Sequence, residues 1–168
     1  MVSNIFLKNK FQNFCFSSTF ATVTLLLLAL RRHKLEYKEN FDFLLFGISS
    51  NENDYRLVWK INQTLCFNFE RGINHKIISK KTGQEIEFVL YSYDDEDTFY
   101  LYHLFANKSE NGVLLEELKN IDYLIMIQGE FTEAFSNGFQ QRLKKIETVQ
   151  GVFKIDPATL KNRENLVF

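Results

Sequence analysis

Ile121–Ile127 reads Ile-Asp-Tyr-Leu-Ile-Met-Ile, apolar at every position but Asp122. A strand that alternates polar and apolar residues can rest on a single layer. A run without alternation needs cover on both faces, which places it at the centre of a sheet.

Two stretches have the spacing to supply part of that cover. Phe131, Phe135, Phe139, Leu143 and Ile146 recur every three or four residues, so the pattern predicts an amphipathic helix over 131–146. Thr132 and Glu133 near its start and Arg142, Lys144 and Lys145 near its end match the helix dipole. Gly138 costs about 1 kcal/mol relative to Ala inside a helix, which implies close packing at that point. Leu57, Val58, Ile61 and Leu65 form the second stripe and predict a helix over Asp54–Leu65, flanked by Tyr55 and Trp59. Ser50 or Asn51 is placed to cap it, and Glu52 and Asp54 lie in its first turn.

The remaining segments read as strands. Phe41–Ile48 is apolar and closed by Ser-Ser-Asn-Glu-Asn-Asp. Phe67 and Phe69 alternate with Asn68 and Glu70, and Ile77 and Ile78 come later. Ile86, Phe88 and Leu90 share one face of a strand, as do Phe99, Leu101, His103 and Phe105. Turns at Lys80–Gln84 and Asp94–Asp97 make these successive strands an antiparallel meander. Leu114–Lys119 suits one helical turn, and Val149–Ile155 a last strand stopped by Asp156 and Pro157. The predicted order is β-α-β-β-β-β-α-β. The fold class is α+β, a mostly antiparallel sheet with both amphipathic helices packed on one face. Residues 33–156 form a single domain, and 157–168 are expected to fray as a tail.

Residues 1–32 differ in kind. Phe14–Leu30 carries no charge and lies between Lys8 and Lys10 on one side and Arg31 and Arg32 on the other. Three readings stay open: a start placed too early, so that the segment is dispensable; a membrane anchor; and a cleaved signal lacking a small-x-small cleavage site. A chain beginning at Arg32 or His33 is expected to fold as well as the full one.

Charge and motifs exclude several classes of function. Lys and Arg number 20 and Asp and Glu 21, so nothing draws the chain to phosphate backbones and no nucleic-acid partner is expected. Cys15 and Cys66 fit free thiols in a reducing compartment, with Cys66 buried and inert. No Gly-rich phosphate loop or G-x-S-x-G is present, and His33, His75 and His103 are too widely spaced for a zinc site. His103 reads as a hydrogen-bonded structural residue, Asp94–Asp97 as a solvated turn, and Lys80 and Lys81 as a solvated basic turn. No catalytic residue, metal ligand or cofactor is assigned.

One set of segments carries a resemblance. His33-Lys34-Leu35, the run Phe-Asp-Phe-Leu-Leu-Phe-Gly-Ile-Ser-Ser, Asp54-Tyr55-Arg56-Leu57 and Leu114–Gly129 together resemble the IPExxxVDY family of uncharacterised bacterial proteins, found mainly in Bacteroidota. The motif falls on Leu115–Tyr123: Glu117, Asp122 and Tyr123 match, Ile121 stands for Val, Leu115 for Ile, and Glu116 replaces the Pro. The resemblance spans about 33–155 and leaves the hydrophobic N-terminus outside. It implies a cytoplasmic location and supplies no activity.

Asp54, Tyr55, Arg56, Glu117, Asp122 and Tyr123 are therefore the candidate residues. Their favoured reading is structural, with the acidic residues capping backbone ends and Arg56 pairing with Glu117 or Asp122. A binding site built from Arg56, Tyr55, Asp122 and Tyr123 is the functional alternative, and an enzyme active site using the paired carboxylates is the third reading. For the protein as a whole the leading expectation is non-enzymatic action through protein contacts, with an unknown partner or as a homodimer. The alternatives are an unrecognised enzyme or small-ligand binder, and a membrane-tethered domain using Phe14–Leu30.

Overall fold

The computed structural model describes residues 43–167; Phe14–Leu30, Cys15 and His33 lie outside the described residues. Strand β1 (Phe43–Ser49) leads into helix α1 (Asp54–Leu65). Short β2 (Glu70–Arg71), β3 (His75–Ile78), β4 (Glu85–Phe88), β5 (Leu90–Asp95) and β6 (Tyr100–Ala106) come next. Then come β7 (Lys108–Ser109), β8 (Gly112–Val113), a 3₁₀ turn at Glu116–Leu118, β9 (Tyr123–Gln128), helix α2 (Glu133–Lys144) and β10 (Gly151–Ile155). Two more 3₁₀ turns, Pro157–Thr159 and Arg163–Leu166, end the described chain.

Among the described residues, six strands form one antiparallel sheet in the order β10-β1-β9-β6-β5-β2. The apolar run is its β9, between β1 and β6, with Phe46 opposite Ile125 on one side and His103 opposite Met126 on the other. Both helices lie on one face. Leu57, Val58, Ile61 and Leu65 of α1 and Phe139 and Leu143 of α2 share an apolar cluster with Leu44, Phe46, Ile48, Leu104, Ile125 and Ile127. The α+β class and the placement of the helices follow from the two stripes.

The second face corrects the sequence reading. The expected meander is broken at Val89: β4 pairs with β3 in a separate hairpin, while β5 pairs with β6 in the main sheet. That hairpin folds over the second face, where Ile86 and Phe88 join Phe43, Leu45, Phe105, Leu124 and Met126 in another apolar cluster. The expected loose tail is packed instead: Leu160 and Leu166 are buried in the same cluster. Two apolar residues six positions apart have no recognisable period, which is why the tail looked unstructured.

Smaller differences have local causes. Phe67 and Phe69 precede β2 rather than forming it, because Asn62 of α1 holds Phe69 by both its N–H (2.9 Å) and its carbonyl (3.1 Å). Asn53, not Ser50 or Asn51, is the N-cap of α1. Ser50 instead donates to the Thr148 carbonyl at 2.7 Å and accepts from the Glu52 N–H. Cys66 is exposed, not buried. It closes α1 in the left-handed conformation at φ 58°, so the chain turns off the helix axis and Phe67 packs against the core in its place. A Cβ on Gly138 would meet nothing within 4 Å, so no close packing explains that glycine.

Candidate functional site

The loop from β1 to α1 lies beside the start of β9, and this brings three of the six candidates to one end of the sheet. Asp122 accepts from the Ser50 N–H at 3.0 Å, the Ser49 hydroxyl at 3.3 Å and the Lys108 ammonium at 2.6 Å. Tyr123 turns inward beside it, and its hydroxyl donates to the Glu52 carbonyl at 2.5 Å. Asp54, the first residue of α1, accepts from Tyr91 at 3.0 Å and from Arg71 at 3.3 Å. The Arg71 guanidinium also sits 5.6 Å from the centre of the Tyr91 ring.

These groups share one electrostatic environment. Burial pushes the Tyr123 phenol up to about 12, and the nearby carboxylates of Asp54 and Asp122 push in the same direction. Tyr91 is raised by burial first, with Asp54 adding to it and Arg71 opposing. Both phenols therefore stay protonated and serve as hydrogen-bond donors at neutral pH.

The other three candidates lie apart. Tyr55 and Arg56 are on the outer side of α1, Tyr55 61% exposed. Arg56 pairs with Glu52 at 3.2 Å, one helical turn back, and this replaces the expected pairing with Glu117 or Asp122. Glu117 belongs to the second face. It accepts from the Lys161 N–H at 2.8 Å, the Asn162 N–H at 3.4 Å and the Asn162 side chain at 3.3 Å. The two acidic motif residues thus hold two different backbone segments, Asp122 the exit of β1 and Glu117 the chain end.

Sequence reasoning missed Asn107. It is fully buried. Its side-chain amide donates to the Leu118 and Ile121 carbonyls, both at 2.9 Å, and accepts from the Leu115 N–H at 3.0 Å. The loop carrying the motif is organised around this one side chain. Its only trace in the sequence is an Asn directly after the apolar end of β6. His103 is hydrogen-bonded, as expected, its Nδ1 3.0 Å from the Ser92 hydroxyl. Burial lowers its pKa to about 4. His75, also buried, places Nε2 2.6 Å from the Asn165 carbonyl.

A groove of about 420 Å³ opens on the second face. Ile77, Ile86, Val113 and Leu114 line it together with Gln84 and Asn111. Its volume is that of a small-molecule site, but Asp54, Asp122 and Tyr123 do not line it. Among the described residues, no three His, Cys, Asp or Glu side chains are grouped as metal ligands. No helix there is long and apolar enough to cross a membrane. No family model matches the chain, and no curated protein or solved structure is significantly similar to it.

Proposed function

We propose that this domain acts through contacts with other proteins rather than by catalysis. The observation that carries the reading is the outer side of α1. Tyr55 and Trp59, one helical turn apart, are 61% and 54% exposed, and Arg56 lies beside them. Trp, Tyr and Arg are the residues that most often carry binding energy at interfaces. Two large aromatic rings on the solvent side of an amphipathic helix lie beyond what the core uses. The polar cluster at Asp122 supports the same reading from the other direction, because each carboxylate there is already engaged by protein donors. The free thiol of Cys66 and the resemblance to the IPExxxVDY proteins support a bacterial, cytoplasmic setting as part of this proposal.

The test compares the full chain with the Tyr55→Ala/Trp59→Ala variant. Native mass spectrometry reads self-association, and affinity purification from the native host reads other partners. A dimer or a defined partner held by the wild type and lost by a folded variant supports the proposal. A monomer that retains the same proteins in both forms overturns it. The groove on the second face favours one other reading, a small-ligand binder. A ligand that shifts amide resonances of Gln84 and Asn111 would support that reading.

A further inference from the structure

We propose that residues 157–167 are a hinged strap that releases as one unit from the second face while the main sheet stays folded, with Glu117 as the clamp that holds it down. This rests on the second face and is separate from the α1 reading.

The strap enters through Asp156–Pro157, where the Asp156 carboxylate accepts from the Ala158 N–H at 2.9 Å. It consists of two single-turn 3₁₀ helices, so little backbone hydrogen bonding holds it to itself. Two side chains anchor it: Leu160 and Leu166 are buried, while Lys161 and Arg163 between them are exposed.

The polar ties run to the second layer. Glu117 takes three bonds from Lys161 and Asn162. Asn165 donates to the Leu114 carbonyl at 2.8 Å, and its own carbonyl meets His75. Glu164 pairs with Lys80 at the tip of the β3–β4 hairpin. Opening the strap breaks these bonds and leaves the pairing of β1, β9 and β6 intact. A unit held by two buried side chains and a few polar ties, most of them solvent-facing, opens at a smaller free-energy cost than the whole domain. What it uncovers is apolar: Leu114, Leu115 and Ile86 belong to the cluster that Leu160 and Leu166 complete. The strap thus keeps an apolar surface closed to other chains, and the carboxylate of Glu117, itself exposed, controls that closure.

Amide hydrogen exchange on the full chain tests this, with wild type, Glu117→Ala and Glu117→Gln compared. Residues 157–167 should exchange as a block, faster than β1 and β9 and slower than a free peptide of that sequence. Glu117→Ala should speed exchange in the strap and in Leu114–Leu118 by about tenfold to a hundredfold, with β1 and β9 changed by less than about twofold. Glu117→Gln should fall between, because its side-chain oxygen still accepts from the strap. Should Glu117→Ala fail to fold, Asn162→Ala, which removes one of the three bonds, gives the same comparison. A wild-type strap that exchanges at the rate of β9 overturns the proposal, as does one that exchanges like free peptide. Equal acceleration of strap and sheet in Glu117→Ala overturns it too.

Discussion

Asn107 donates to the Ile121 carbonyl at 2.9 Å inside a fully buried pocket, and so joins the end of β6 to the residue that precedes the Asp122–Tyr123 pair. The side-chain nitrogen and oxygen are both used by main-chain groups of one loop.

Replacing this residue should be costly. Asn107→Ala leaves two carbonyls and one N–H buried without their side-chain partner, a loss of about 3 kcal/mol or more. Asn107→Asp is the sharper test. An ionised carboxylate can neither donate to Leu118 and Ile121 nor be solvated there, so the folded state holds its proton to higher pH than the unfolded state. Relative to wild type, stability should then fall as pH rises above the ordinary carboxylate value of about 4. Urea unfolding of Asn107→Asp and wild type between pH 4 and 7 checks the sign: the deficit of the variant should grow with pH, and a constant or shrinking deficit would refute it.

Asp122 separates two contributions. Asp122→Asn keeps an acceptor for the Ser50 N–H and loses the charge opposite Lys108, a pair on a half-exposed site worth about 0.2–1 kcal/mol. Asp122→Ala removes the acceptor as well and should cost about 1–3 kcal/mol. Chemical denaturation of the two variants should rank them in that order.

Helix α2 offers two neighbouring substitutions of opposite sign. Phe139 is 2% exposed, with the rings of Phe46 and Tyr102 at 5.4 and 5.9 Å. Phe139→Ala should destabilise by about 3–5 kcal/mol. Gly138 faces open space, so Gly138→Ala should stabilise by about 0.5–1 kcal/mol. Thermal melts should move the midpoint down for the first and up for the second.

His103 sets a pH limit. Burial holds its folded-state pKa near 4, below the ordinary value of 6.5. Between these two values the unfolded chain binds a proton that the folded chain does not, so stability is retained above about pH 6.5 and declines as pH falls toward 4. The slope from this group is about 1.4 kcal/mol per pH unit within that window. Below it, both states are protonated and the contribution no longer changes. In His103→Gln, which can still bond Ser92, the pH dependence over that window should be shallower by that amount.

Period and length made the first face legible. The stripes of α1 and α2 and the unbroken apolar run of β9 each specify a burial pattern, and α1 occupies Asp54–Leu65, the residues its spacing predicts. The second face was hidden because its cover comes from pieces too short to show a period: the β3–β4 hairpin, Leu114–Leu115, Leu160 and Leu166. The candidate residues were legible as chemistry but not as geometry. Asp122 and Tyr123 were recognisable as a pair, whereas the choice of Glu52 over Glu117 as the partner of Arg56 depends on where the chain end travels. Asn107 gave no signal, since one polar residue after a strand reads as the start of any loop.

Val89 stands alone between β4 and β5, its carbonyl accepting from the Ala106 N–H at 3.0 Å. Side chains along extended chain alternate in phase, so this single residue couples the phase of the outer hairpin to that of the main sheet. Phe88 and Leu90 meet the second-face cluster on either side of it, while Val89 turns to the helices. The two layers are therefore in step with each other like adjacent links of one chain. Lengthening the joint by one residue would leave the sheet able to form or the hairpin able to close, each with its own apolar residues inward, but would deny the molecule both at once.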